Sequence, residues 1–120
     1  MQCKIKIVES VKKYSRELNE RAKKGLLEEP EQGIVMTPET FSKVFSPERI
    51  KLLQKIHRNR IASIYQLAQE LEKPYEVVFR NLKYLEGIGL IKLLKKDNKK
   101  VPQLRHAVSI DLFAEDALEA

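Results

Sequence analysis

Hydrophobic and polar positions alternate near the amino terminus, where residues 4–8 read Lys-Ile-Lys-Ile-Val. An alternation with a period of two predicts a half-buried strand. Over residues 10–24 the apolar spacing becomes that of a helix, and Gly25 stands where this helix is expected to end. The helix is expected to bury Val11, Tyr14, Leu18 and Ala22.

An acidic segment separates this strand and helix from the rest of the chain. Residues 27–33 contain Pro30 and Gly33 among several glutamates, a composition that predicts a linker. The apolar residues 34–36 then predict a short strand.

Three helix starts follow, each marked by a residue that caps a helix N-terminus. Thr37 and Ser46 each precede a proline, which is favoured at the first helical position. The first start opens a short helix, and the second predicts a helix to about residue 58. Ser63 and Gln66 have the spacing of a capping box, which marks the third start. The side chains expected to face inward are Phe41, Val44 and Phe45 in the first helix, Ile50, Leu52, Leu53 and Ile56 in the second, and Ile64, Leu67, Ala68 and Leu71 in the third.

A last helix and a hairpin complete the central segment. Pro74 cannot continue the preceding helix and opens a new one over residues 74–87, which ends near Gly87. Residues 90–94 predict a strand, and a turn at Asp97-Asn98 leads to a return strand. The side chains of the helix that are expected to be buried are Val78, Leu82 and Leu85.

The order of these elements predicts an α+β, mainly helical fold built around a winged helix-turn-helix. The predicted DNA-binding domain covers residues 37–104. An N-terminal strand-helix extension with its linker, residues 1–36, precedes it and is expected to mediate dimerisation. Residues 105–120 supply a further alternating strand at 106–113 and an acidic tail.

Positive charge is concentrated on the central segment. The whole chain carries a net charge of +6. Residues 46–100 hold 13 basic and 6 acidic side chains, a net of +7, whereas residues 101–120 have a net charge of −3. Such a basic segment attracts a polyanion through counterion release. Lysines that only keep a small protein soluble remain the alternative, but the overlap with the predicted helix-turn-helix favours nucleic acid.

The helix over residues 74–87 is expected to lie in the major groove of DNA. Arginine can contact guanine O6 and N7 with two hydrogen bonds, and lysine can neutralise a phosphate. Glu76 is repelled by phosphates but can accept a hydrogen bond from cytosine N4. Phe79 either touches a thymine methyl group or packs against a neighbouring helix, and packing is the favoured alternative. The candidate DNA-binding residues of this helix are Tyr75, Glu76, Phe79, Arg80 and Lys83.

The predicted wing, residues 92–100, is lysine-rich and is expected to lie on the phosphate backbone. A lysine-rich turn is also a common solvated surface, so it supports DNA binding without establishing it. Ser63 is a further candidate contact, although its role as a helix cap already explains it. The candidate residues of the wing are Lys92, Lys95, Lys96, Lys99 and Lys100.

From Phe41 onward the chain resembles a group of small predicted transcriptional regulators of archaea and bacteria. Their winged helix is related to that of MarR-type repressors, and some of them are antitoxin-like. The resemblance implies DNA binding, as a dimer, and regulation of transcription. The residues that carry it are Ser46-Pro47-Glu48-Arg49 with Leu52-Leu53, Ser63-Ile64 with Leu67-Ala68 and Leu71, then Tyr75, Val78, Arg80 and Lys83, Leu85-Glu86 with Gly89-Leu90-Ile91, Val101-Pro102, and Ser109-Ile110-Asp111-Leu112.

Other chemistries lack the residues that they need. Cys3 stands alone, and His57 and His106 are far apart in the chain, so neither a catalytic group nor a metal site is predicted. We therefore expect no enzyme activity, no cofactor and no metal. The lack of a long apolar run predicts no membrane contact and a cytoplasmic protein.

Two kinds of partner are predicted besides double-stranded DNA. The terminal strands are expected to pair across a two-fold axis, which makes the protein a homodimer. The alternative function is a winged-helix protein-interaction module, such as an antitoxin that binds a toxin protein.

Overall fold

The computed structural model describes residues 2–24, 33–105 and 107–115, without the side chains of Gln2, Arg21 and Ala22. Gly25, most of the predicted linker and the end of the acidic tail therefore lie outside the described residues. The fold is α+β, with more residues in helices than in strands. In chain order its elements are β1 (Gln2–Ile7), α1 (Val11–Lys23), β2 (Gly33–Met36), α2 (Pro38–Val44), α3 (Pro47–Arg58), α4 (Ile64–Leu71), α5 (Tyr75–Ile88), β3 (Ile91–Lys96), β4 (Lys99–Leu104) and β5 (Ala107–Asp111).

The chain divides into two compact units. The first combines Met1–Lys43 with Ala107–Ala120, and the second is Val44–His106. The second unit begins at the last residue of α2 rather than at Thr37. Its sequence holds 14 basic and 6 acidic side chains, a net of +8, whereas the first unit has a net charge of −2.

The first unit contains a parallel sheet in which β1 lies between β2 and β5. The predicted alternation in β1 is confirmed, because Cys3, Ile5 and Ile7 are buried and the lysines between them are half-buried. Since β1 is paired on both sides within the chain, it has no free edge for the predicted pairing across a two-fold axis. The outer edges of the sheet belong to β2 and β5.

The core of the first unit includes Val8, Tyr14 and Ala114, with Leu18 and Val35 packed against them. The predicted buried stripe of α1 is therefore confirmed at Tyr14 and in part at Leu18. It is wrong at Val11, which is 38% exposed because it is the first residue of α1 and extends beyond this cluster.

The predicted helix starts of the second unit are confirmed at Ser46 and Ser63. The Ser46 hydroxyl accepts a hydrogen bond from the Arg49 amide, and the Ser63 hydroxyl accepts one from the Gln66 amide at 3.0 Å. The capping box is only half formed, because the Gln66 side chain accepts from the amide of Ala62 at 2.8 Å instead of that of Ser63. Both α3 and α4 nevertheless begin at the positions that the caps predict.

The stop of α5 differs from the prediction. The helix continues through Gly87 to Ile88, and Gly89 caps it with a φ of 98° in the left-handed region. The Leu90 amide bonds to the Leu85 carbonyl, which closes a Schellman motif. Gly87 is exposed, and a Cβ there would meet nothing within 4 Å. Only Gly89 needs the conformational freedom of glycine.

The hairpin β3–β4 has the predicted two-residue turn. Asp97 and Asn98 have φ values of 51° and 63°, as the two central residues of a type I′ turn require. The register places Leu93 opposite Pro102 and Lys96 opposite Lys99. The first strand starts at Ile91 and continues to Lys96, two residues beyond the predicted end.

The core of the second unit lies between α3, α4, α5 and the start of β3. The predicted inward side chains of α3 and α4 are buried except for Ile50, Leu53 and Leu71, of which Leu53 is half-buried. Ile50 is 37% exposed, because the apolar positions of α3 are spread over more of the helix than one packed face covers, and Leu71 is half-buried at the end of α4. The fully or nearly fully buried side chains include Leu52, Ile64, Leu67, Val78, Leu82, Leu85, Leu90 and Ile91.

Candidate nucleic-acid interface

One side of α5 is buried and the other is exposed. Val78, Leu82 and Leu85 fall on the buried side, since positions three and four apart share a helix face. The exposed side chains include Arg80, which makes no hydrogen bond or ion pair with any other described residue. Its guanidinium donors are therefore available to a partner. The other predicted contacts that are exposed on α5 are Tyr75, Glu76 and Lys83.

Arg49 of α3 contacts the side of α5 that carries Asn81 and Tyr84. Its Nε donates to Asn81 Oδ1 at 3.2 Å, and its guanidinium carbon lies 3.9 Å from the centre of the Tyr84 ring. These contacts join α3 to that side of α5. In the sequence, Arg49 stands out only as part of the Ser46-Pro47-Glu48-Arg49 motif. Its position three residues after the Ser46 cap gave no indication of a partner more than thirty residues away.

Phe79 lies between the start of α5 and the hairpin. Its ring stacks on Tyr75 with centroids 6.0 Å apart, and Lys100 Nζ lies 4.7 Å from its centre. The favoured prediction for this residue is packing against a neighbouring helix, whereas these contacts are with its own helix and with β4. The contact connects the exposed side of α5 to the hairpin, with a cation over an aromatic face.

A groove of about 390 Å³ lies between the starts of α4 and α5 and the hairpin turn. It brings together four predicted residues that are distant in sequence: Ser63, Tyr75, Lys99 and Lys100. Tyr65 also lines it and is 62% exposed, a residue that the sequence analysis did not select. A tyrosine one position after a buried helix start is an ordinary surface residue in sequence, so only the folded chain identifies it.

The lysines of the hairpin oppose one another across the two strands. Lys95 pairs with Lys100, and Lys96 pairs with Lys99. Like charges in directly opposite positions destabilise a hairpin. Asp97 in the turn is the only acidic residue between Lys92 and Lys100. The arrangement therefore lowers the stability of the free protein and favours the binding of an anion.

Lys83 has a partner, unlike Arg80. Its Nζ lies 3.1 Å from Glu86 Oε1, and Glu86 Oε2 accepts a hydrogen bond from the Leu93 amide at 3.0 Å. The Leu93 amide, followed by Lys83, holds the pKa of the Glu86 carboxyl below its usual value. Glu86 thus ties α5 to β3 and pairs with the Lys83 ammonium.

The remaining candidates lie on β3. Lys92, Lys95 and Lys96 are exposed and form no ion pair among the described residues. Lys96 lines a different groove from Lys99, together with Arg58 and Arg60. Of the predicted wing lysines, Lys96 therefore lines one groove and Lys99 and Lys100 line another, whereas Lys92 and Lys95 line neither.

Two further observations concern the metal-ligating and thiol side chains of the described residues. No group of three or more metal-ligating side chains occurs among them. Burial raises the pKa of the Cys3 thiol, which favours its protonated and unreactive form. No described helix is long and apolar enough to cross a membrane.

A family model described as HVO_A0114 matches residues 44–108, more than half of the chain, and the chain belongs to this family. The match begins at Val44, where the second compact unit also begins. The comparisons with curated proteins and with solved structures give no match.

Proposed function

We propose that this member of the HVO_A0114 family is a sequence-specific DNA-binding regulator of transcription, most simply a repressor. In this proposal the second unit is a winged helix-turn-helix. The helix α5 enters the major groove, and the hairpin β3–β4 is the wing that lies on the phosphate backbone.

The observation that carries the proposal is the set of opposed lysines beside the exposed side of α5. Folding places Lys95 against Lys100 and Lys96 against Lys99 at a cost in stability. A polyanion relieves this repulsion and releases its own condensed counterions. Lys100 also contacts Phe79 of α5, so this lysine and the predicted reading helix belong to one surface.

The groove beside Ser63 supplies a site for a backbone phosphate. It lies at the start of α4, where the first backbone amides of a helix point outward and favour an anion. Lys99 and Lys100 line the opposite side. A phosphate held there fixes the register of α5 along the duplex without reading a base.

Base selection then falls to the exposed side chains of α5. Arg80 has free donors for guanine O6 and N7, and Glu76 is placed to accept a hydrogen bond from cytosine N4. Because Phe79 is held between Tyr75 and Lys100, its main role in this proposal is to position that lysine. Lys83 contributes a phosphate contact only when it leaves Glu86.

Replacing Lys95 and Lys99 together with alanine is expected to weaken binding to all DNA sequences alike. The plot of log affinity against log salt concentration should lose roughly 1.8 units of slope, since each phosphate contact contributes about 0.9. The thermal midpoint of the free protein should stay the same or rise, because a like-charge repulsion is removed. Gel-shift titrations over a salt series measure the slope.

Lys51→Ala is the matched control for this change. It also removes an exposed positive charge from the second unit, but it lies in α3 beside a groove that contains none of the candidate DNA-binding residues. An unchanged slope in the double variant, or an equal loss per charge in Lys51→Ala, contradicts the proposed wing.

Selection of bound fragments from the native genome tests the proposal as a whole. A recurring short sequence recovered upstream of genes is the expected result. Recovery of random fragments at low salt only would indicate a non-specific binder. No salt-sensitive DNA binding at all would favour the alternative, a protein-interaction module of the antitoxin kind.

The first unit has a surface that suits a second protein chain. Within the described sheet, β5 has no strand on its outer side, and the apolar residues Ile110, Leu112 and Phe113 are 49%, 61% and 71% exposed. An unprotected strand edge with exposed apolar side chains pairs readily with another chain. We propose a homodimer in which a second copy pairs with this edge and each protomer contacts one half-site of the DNA.

Light scattering after size-exclusion chromatography is expected to show a dimer that Phe113→Asp converts to a monomer. The charge disfavours burial of this position in an interface. The matched control is Tyr65→Asp, which changes an equally exposed aromatic residue of the second unit. A monomer of the unmodified chain at high concentration contradicts the homodimer. A dimer that survives Phe113→Asp places its interface elsewhere.

A further inference from the structure

A second groove of the second unit lies between the end of α3 and the hairpin. We name it the hairpin groove; residues 56–61 form one wall, and residues 101–104 with Leu94 and Lys96 form the other. It encloses about 760 Å³. Small-molecule sites occupy roughly 300–1,000 Å³, so the hairpin groove is large enough for a ligand.

The apolar residues at the floor of this groove are largely buried, and the exposed apolar surface beside them belongs to Leu94. Ile56 and Ile61 are 8% and 7% exposed, and Pro102 is also buried. Leu94 borders the same space but keeps 42% of its surface exposed. An apolar body in the groove would remove this surface from water, which is favourable in proportion to the area covered.

Cations surround the floor without a matching carboxylate. Arg58, Arg60 and Lys96 are exposed and form no ion pair with the residues that the structure describes. No aspartate or glutamate lines the hairpin groove, although the unit contains six such residues elsewhere. The groove beside Lys51 and Lys73 differs in this respect, because Glu48 lines it with the two lysines. The hairpin groove is thus complementary to a negative charge.

We propose that the hairpin groove binds a small amphipathic anion, a molecule with an apolar body and one acidic group such as a carboxylate or sulfonate. Arg58 and Arg60 donate hydrogen bonds to the acidic group, with bond strength increased by the charge on both partners. The apolar body covers the exposed side chain of Leu94. A DNA phosphate would use the cations but would gain nothing from Leu94, so the small ligand uses more of the groove.

Occupancy of the groove has a consequence for the wing. One wall is the hairpin itself, and Lys96 of the groove is directly opposite Lys99 of the proposed phosphate site. A bound anion draws Lys96 toward the groove and holds the hairpin against α3. If the ligand changes the affinity of the protein for DNA by some factor, DNA changes the affinity of the protein for the ligand by the same factor. This consequence rests on the proposed DNA-binding function, but ligand binding itself does not.

Fluorescence titration of the full chain with anilinonaphthalene sulfonate, an amphipathic anion, tests the site. We expect saturable binding of the probe and displacement of the probe by decanoate. Decanol, which lacks an acidic group, and inorganic phosphate, which lacks an apolar body, should not displace it at the same concentration. The double variant Arg58→Ala/Arg60→Ala should bind the probe roughly tenfold or more weakly, since it loses two charged donors. Arg58→Lys/Arg60→Lys should restore part of the affinity, and Leu94→Gln should lower it.

The matched control is Lys51→Ala/Lys73→Ala, which removes two positive charges from the other groove. It should leave probe binding unchanged. Nitrogen–proton correlation spectra should shift at residues 56–61 and 101–104 when the probe is added. Loss of binding in the Lys51/Lys73 variant but not in the Arg58/Arg60 variant overturns the proposal.

DNA titrations of the same variants separate this proposal from the proposed function. If Arg58→Ala/Arg60→Ala weakens DNA binding and leaves probe binding intact, the arginines are phosphate contacts and the ligand site is rejected. If no variant binds DNA but the probe binds as expected, the ligand site stands and the DNA-binding function fails.

Discussion

Replacing Leu82 with alanine is expected to lower the free energy of unfolding by about 2–5 kcal/mol. Leu82 has no exposed surface, and it lies on the side of α5 that packs in the core of the second unit. Truncation removes the transfer free energy of the lost atoms and leaves a cavity that the surrounding helices fill only in part. Urea unfolding followed by far-ultraviolet circular dichroism measures the effect.

Gly87→Ala is the control on the same helix. Gly87 lies inside α5 at an exposed position with open space around it. Alanine there should raise the free energy of unfolding by about 0.5–1 kcal/mol, because glycine loses more conformational entropy in a helix. A cost below 1 kcal/mol for Leu82→Ala would mean that α5 does not pack as described. A strongly destabilising Gly87→Ala would mean that this part of α5 is not helical.

Replacing Arg80 with alanine is expected to weaken binding to the preferred DNA site by roughly 1–3 kcal/mol and to relax the choice of base at one position. The guanidinium is exposed, and no described residue competes for its donors. The loss should therefore appear in binding while the thermal midpoint stays the same. Gel-shift titrations against the preferred site and against single-base variants measure both quantities.

Arg80→Lys separates charge from geometry. Lysine keeps the positive charge but cannot make the two parallel hydrogen bonds that guanidinium makes with guanine. We expect Arg80→Lys to retain non-specific affinity and to lose most of the base preference. If Arg80→Ala, Arg80→Lys and the unmodified protein all bind every DNA sequence with the same affinity, α5 is not the helix that reads the bases.

In the proposed function, the hairpin combines a cost in stability with a gain in binding. The residue types of its turn suit the turn conformation, since Asp97 and Asn98 both adopt the positive φ that a type I′ turn requires. Its lysines oppose one another on paired strands, which is unfavourable in the free protein. A local arrangement that lowers stability without a structural benefit is typical of a functional site.

The sequence predicted the local structure of the second unit well. Ser46 and Ser63 marked the starts of α3 and α4, because a side-chain acceptor and the first free amide of a helix are only three residues apart. The buried positions of α5 followed from helical periodicity. The turn at Asp97-Asn98 followed from the few residue types that tolerate positive φ.

Predictions that depended on more than one element were less successful. Val11 and Ile50 have suitable spacing for burial but are exposed, because burial depends on what lies opposite a position. Gly87 and Gly89 are alike in sequence, and only the path of the chain into β3 decides that Gly89 ends the helix. The parallel order β2-β1-β5 joins strands from both ends of the chain, which no local pattern reveals.

The candidate site shows the same division. Basic composition and the spacing of residues along α5 were sufficient to select Arg80 and the hairpin lysines. The pairing of Lys83 with Glu86, the contact of Lys100 with Phe79 and the two grooves depend on distances between separate elements. Arg58 and Arg60 gained a candidate role only when folding placed them beside Leu94 and Lys96.

The sequence by itself determined where the helices and the hairpin of the second unit begin and which sides they bury. Caps, turns and periodicity act within a few residues, so their physical causes are contained in short segments of chain. Only the tertiary structure decided that β1 is the middle strand of a sheet, that Arg49 contacts α5 and that Lys96 and Lys99 line different grooves. These features depend on which distant surfaces pack together, and packing depends on the shape and charge of the whole unit.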